Sequence, residues 1–275
     1  FRVGGSTMMG SHHAMTGAAA WIAVTATAGH GLGLFPVDPV GTLAGALVCA
    51  GAALMPDADH GSATIAHSVP VVGKVITHGI SQASGGHRHG FHALLAVVCA
   101  WLVSRALGEL VWQPEWWDRP IWIGAAAMST VAIAVALKAL KVAKGGWARA
   151  WQLAVIPALF VAFFAPERQD WFAVCFTLGY AVHLLGDLLT KGGLPLLWPI
   201  VIKPPRWWLR APLLRSVWLR GGNVAVPILG RAGSHREWLL LIPVTVYVVY
   251  GLSFAVLDLV GIDLAQVLAT TGGAL

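Results

Sequence analysis

The residues able to bind metal fall in five short stretches: His13; Pro56-Asp57-Ala58-Asp59-His60; His87-Arg88-His89-Gly90-Phe91-His92; His183 with Asp187; and Glu237. His183 and Asp187 are four apart, so a helix presents both on one face, within reach of one ion. Asp57, Asp59 and His60 set carboxylate oxygens beside an imidazole, a donor mixture used for zinc, manganese or iron. Cys49, Cys99 and Cys175 lie inside apolar stretches with no C-x-x-C spacing, which argues against a thiolate site or a disulfide framework and leaves them as small hydrophobes. The candidate ligands are His13, Asp57, Asp59, His60, His87, His92, His183, Asp187 and Glu237, enough donors for one or two divalent ions. A single histidine at the end of an apolar run is more often an interfacial hydrogen-bonder, and His30, His67, His78 and His235 are assigned to that class. His12 and His13, in Gly10-Ser11-His12-His13, read either as ligands or as the remnant of a tag.

The elements that must position these donors are membrane helices. The 275 residues are 57% hydrophobic and 11% charged, with a mean hydropathy of +0.72, a composition that lipid solvates and water does not. Fourteen Trp fit the same reading, since indole rings favour the membrane–water interface. A hydrocarbon core takes about 17–25 apolar residues per helix, and seven runs qualify: 13–34, 38–55, 91–112, 119–138, 147–165, 171–189 and 238–260. Pro157 interrupts the fifth. Two long polar loops remain, 56–90 and 190–236, the second rich in Trp and Arg and suited to lie in the interface. The fold class is therefore all-α: a polytopic transmembrane helical bundle of about seven spans, with a basic interfacial loop between the last two. One transmembrane catalytic domain covers 13–260 with its site loops at 56–92 and 187–237, between an N-terminal segment 1–12 and a short tail 261–275. Phe1 to Thr7 precede two candidate start residues, Met8 and Met9, and do not read as a cleavable signal.

Seven spans put 1–12, 56–90, 139–146 and 190–237 on one face. That face then holds 15 of the 18 Lys and Arg, leaving Arg105, Arg119 and Arg168 for the other. The positive-inside bias makes the first face cytoplasmic and puts the C-terminus outside. A net charge of +6 spread over loops between apolar runs points to anionic lipid headgroups as partners rather than to nucleic acid. All five donor stretches land on this face, where helix ends can converge on one depth.

In order and most spacings, the motifs resemble those of the YdjM-like family of predicted inner-membrane, metal-dependent hydrolases. That family shows an N-terminal His before a small-residue helix, then P-D-x-D-H, H-R-x-x-T-H-S, H-x-x-x-D-x-x-T-x-x-G-x-P-L-L-W-P and G-x-x-x-E. Here they appear as His13 to Gly17, Pro56 to His60, His87 to Ala93, His183 to Pro199 and Gly233 to Glu237. The family's T-H-S reads Phe91-His92-Ala93, so two hydroxyls are missing. The resemblance makes His13 native and implies hydrolysis at a bacterial-type inner membrane. A divalent metal, zinc foremost with manganese or iron as alternatives, would lower the pKa of a water. Asp57 or Asp59 would act as base, and Arg88 would clamp a phosphate. Thr190, Trp198 and Arg206, with Arg88, would meet the substrate. The ligand mixture is also similar to that of zinc-dependent phospholipases of the C type, which points to a phosphoester in a lipid or lipid-linked molecule. Two other classes compete: a divalent metal-ion transporter, whose ligands belong near the membrane midplane, and a non-catalytic module with a structural metal.

Overall fold

The computed structural model describes residues 10–27, 29, 31–59, 90–231 and 233–262, with Ala58 and Asp59 described through their backbone alone. Every regular element among them is helical. Seven helices occupy the seven apolar runs: α1 Gly10–Thr25, α2 Pro39–Ala52, α3 Leu94–Gly108, α4 Ile123–Ala139, α5 Trp147–Phe164, α6 Trp171–Leu188 and α9 His235–Leu259. A single 3-10 turn, Pro56–Asp59, follows α2. Two short helices, α7 Arg206–Arg210 and α8 Leu214–Val217, lie in the basic loop. The helices α5, α6 and α9 are long and apolar enough to cross a membrane, while α2, α3 and α4 are shorter apolar helices.

Local signals explain the boundaries. Asp38 caps α2 by accepting from the Gly41 N–H at 2.8 Å, with Pro39 in the first turn where its missing N–H costs nothing. The first run is shorter than its apolar length predicts. Helix α1 ends at Thr25, and the chain turns back through Gly29 and Gly33, both at positive φ, so that the Leu32 and Phe35 N–H groups bond the Ala23 and Val24 carbonyls. The fifth run, in contrast, stays one helix straight through Pro157.

Helix α2 is the hub, packed against α1, α4, α5, α6 and α9. It carries small residues at the crossings, which lets backbones approach closely. A Cβ on Gly17 of α1 or Gly179 of α6 would lie 2.7 or 2.3 Å from the same Cys49 carbonyl oxygen. The buried core runs through Trp21, Ile22, Cys49, Trp171, Phe172 and Phe176. Outward faces are apolar too, with Leu94, Val98, Leu102, Ile156, Leu239 and Val246 exposed, the pattern of a surface solvated by lipid.

The two ends of the bundle differ. At one, Arg119 bonds the Glu167 carboxylate at 2.7 Å and approaches Asp38 at 3.8 Å, Arg105 pairs with Glu109, and Arg168 stacks on Phe35. The other end gathers the start of α1, the end of α2, the approach to α3, the end of α6 and the start of α9, with the basic loop beside them.

Candidate metal centre

Four donors from three separate segments meet at this second end. Asp57, His92, His183 and Asp187 each offer one ligand atom, and these atoms lie within 4.8 Å of one another. Helix α6 supplies His183 and Asp187 one turn apart, as their spacing predicts. The turn after α2 supplies Asp57, and the segment entering α3 supplies His92. The Asp57 Oδ1 lies 3.6 Å from His92 Nε2 and 3.7 Å from His183 Nε2, and Asp187 Oδ2 lies 3.8 Å from both rings. His13 of α1 stacks on His183 with ring centres 3.9 Å apart and places Nε2 3.3 Å from the other Asp187 oxygen.

Among the described donors, all but one are enclosed. His13, His92 and His183 are fully buried and Asp187 nearly so, whereas the Asp57 side chain is 34% exposed. Burial opposes ionisation of Asp57, but the adjacent His92, His183 and His13 rings more than offset it and hold the carboxyl well below the usual carboxylate range.

Supporting contacts fix the donors. The Nδ1 of His183 lies 2.7 Å from the Ala53 carbonyl oxygen. A carbonyl only accepts, so Nδ1 carries the proton and Nε2 keeps its lone pair. The Tyr180 hydroxyl, one turn before His183, donates to the Phe91 carbonyl at 2.7 Å and so anchors the residue next to His92. The Leu94 N–H bonds the Leu196 carbonyl at 3.0 Å, tying the start of α3 to the loop after α6.

A divalent ion fits this donor set. The Nε2 atoms of His92 and His183 are buried with no hydrogen-bond partner. Their 3.6–3.8 Å separations from carboxylate oxygens exceed hydrogen-bond length, yet suit atoms that each sit about 2 Å from a shared ion. Two imidazoles and two carboxylates without thiolate form a borderline-to-hard set, suited to zinc, manganese or iron.

The remaining sequence candidates separate. Glu237 stands outside the four: its carboxylate pairs with His12 and accepts the Gly233 N–H at 2.6 Å, while Ser234 caps α9. His12, fully buried, is thus a structural partner rather than a surface residue. Thr190 is buried and donates to the Asp187 carbonyl at 2.8 Å, closing the end of α6. Three residues on, Gly193 takes a positive φ where a Cβ would meet the Val224 carbonyl at 2.5 Å, and Leu194 pairs with Val224. The Thr-x-x-Gly part of the motif is therefore a clasp that ends α6 and folds the loop back against the segment at Val224. Trp198 is half-buried beside Phe91, and Arg206 is exposed at the start of α7. His60, His87, Arg88 and the Asp59 side chain lie outside the described residues. Tyr180, which the sequence reading passed over, was signalled by its place three residues before His183 on the same helix face.

The model of the family described as YdjM inner membrane protein matches residues 8–140 and 150–257. The inner membrane proteins YdjM of Escherichia coli (strain K12) and of Shigella flexneri are each 37% identical to this chain over 67 residues, 22% of this chain and 32% of their own length. The chain thus spans about a third of the length of the curated relatives it matches. No solved structure matches it. The family match takes in both halves of the chain and every segment that contributes a donor to the centre, and the protein belongs to the YdjM inner membrane protein family.

Proposed function

We propose that this protein is a metal-dependent hydrolase embedded in the inner membrane, cleaving a phosphoester in a lipid or lipid-linked substrate at the cytoplasmic face. The observation that carries the reading is a buried His/Asp donor cluster with a single partly exposed carboxylate, Asp57. A catalytic metal site keeps one coordination position for water or substrate, and Asp57, the partly exposed member, marks the side from which either would reach the centre. A divalent ion, zinc foremost, supplies Lewis acidity and brings the pKa of a water toward neutrality when bound. His92, His183 and Asp187 would hold such an ion, with His183 kept in the right tautomer by its Nδ1–H donating to the Ala53 carbonyl. Asp57, ionised and at the solvent edge, would orient a water reaching the centre by accepting its hydrogen bond. Arg88, four residues before His92 in the sequence, would bind phosphate oxygens in a bidentate fork, and Arg206 with its basic neighbours would attract anionic headgroups.

Transport is the competing reading. Its ligands belong near the midplane, and these donors sit at the helix ends. In the test, purified protein supplied with zinc or manganese releases phosphate or a phosphorylated headgroup from a panel of bilayer phospholipids, and Asp187→Ala abolishes both release and stoichiometric metal binding. Wild-type protein that binds metal, cleaves no lipid of the panel and passes metal ions across proteoliposomes overturns the proposal.

A further inference from the structure

Beside the metal centre lies an apolar slot of about 360 Å³, within the roughly 300–1,000 Å³ of small-molecule pockets. We infer that it binds one acyl chain of a membrane phospholipid, which enters sideways from the leaflet nearest the centre; this rests on the hydrolase reading above.

The outer wall is one stripe of α3, Leu95, Cys99 and Val103, spaced four residues apart. The inner wall is Phe176 and Tyr180 of α6. Among the described residues no charged side chain lines the slot, and the Tyr180 hydroxyl donates to the Phe91 carbonyl, so water gains little there and hydrocarbon fits. The mouth opens through a lipid-facing strip, since Leu95 and Val103 are about half exposed and Leu94, Val98 and Leu102 flank them on the outer face of α3.

Both ends of the slot argue for a chain rather than a compact ligand. Its upper end adjoins the donors: Phe91 precedes His92, Met55 is two residues from Asp57, and Tyr180 is three from His183. From Leu95 to Val103 the helix rises about 12 Å at 1.5 Å per residue, close to one leaflet of a hydrocarbon core roughly 30 Å thick. A phospholipid seated with its tail in the slot places its phosphoester at the level of the centre.

The test uses the full chain in nanodiscs of phosphatidylglycerol and phosphatidylethanolamine containing a phosphatidylglycerol with a photoactivatable acyl chain, mapped by mass spectrometry after irradiation. Adducts are expected to concentrate on Leu95, Cys99, Val103 and Phe176. Ala100→Phe, which fills the slot, is expected to cut them about tenfold, the effect of losing roughly two buried methylenes. Leu102→Phe on the outer face should leave labelling unchanged. Bound metal reports folding, and Ala96→Phe replaces Ala100→Phe if the latter loses it. The wild-type map decides by itself: labelling spread evenly over Leu94, Val98 and Leu102 without enrichment at Cys99 overturns the inference, as does displacement of the probe by a polyprenyl phosphate but not by phosphatidylglycerol. Slot labelling in protein that hydrolyses no lipid upholds the slot and fails the hydrolase. Hydrolysis of long-chain lipid untouched by a metal-replete Ala100→Phe variant does the reverse.

Discussion

Glu237 and His12 are donor-type residues that pair with each other outside the four-donor cluster. The pair is buried, with the Gly233 N–H on the second carboxylate oxygen and Trp238 edge-on to the imidazole. Removing one member of a buried pair strands the other, at a cost of about 3–5 kcal/mol. Glu237→Gln and His12→Ala should therefore lower the melting temperature in detergent while metal content per folded chain stays at the wild-type value; metal loss at unchanged stability would make Glu237 a ligand. The sequence held a clue to this placement, because Ser234-His235-Arg236-Glu237 has the S-x-x-E capping pattern, and Ser234 does cap the helix. Residue type alone favoured the ligand reading. His183 and Asp187 were legible because helical spacing fixes which face both occupy. His12 was not, since its role depends on a partner 225 residues away that no local pattern reveals.

Among the helices, apolar length revealed that seven exist, and long-range contacts decide where they stop. The first run keeps its hydrophobicity to residue 34, yet its glycines allow the chain to fold back after Thr25. Pro157 was legible as an interruption, but a membrane helix tolerates proline where neighbours satisfy the freed carbonyl. Helix α6 carries half of the centre, so its seat on α2 sets where His183 and Asp187 stand. Gly179, one turn before His183, makes that seat possible. Gly179→Val is expected to destabilise by about 1–3 kcal/mol or more through overpacking and to weaken zinc binding measured by competition with a chelating dye. Gly146→Ala, where an added Cβ meets nothing within 4 Å, serves as the neutral control. Zinc affinity unaltered by Gly179→Val would show that the α2 contact does not position the donors.

At the scale of the whole molecule, the seven-span arrangement expected from the sequence sorts charge by end. Of the 12 acidic residues, the seven-span arrangement leaves only Asp57, Asp59, Asp187 and Glu237 on the face that holds 15 cations. At the opposite end Arg105 and Arg119 are matched by carboxylates. Among the described residues Arg206, Arg210, Arg215 and Arg220 form no ion pair, which suits the proposed attraction of anionic headgroups. By the positive-inside bias, this sorting predicts that the cation-rich end is cytoplasmic. In a Cys99→Ser background, where Cys49 and Cys175 are buried, Glu115→Cys should react with an impermeant maleimide on intact cells and Gly221→Cys only after permeabilisation; the opposite result would invert the assignment.

The stretch of α3 that lines the slot rises about 12 Å, less than half of a hydrocarbon core roughly 30 Å thick. On the proposed lipid-hydrolase reading, a catalyst built this way would draw on one lipid pool. It would deplete the leaflet it faces while leaving the other untouched, and further turnover would wait on lipids crossing between leaflets, a supply set by the membrane rather than by the protein.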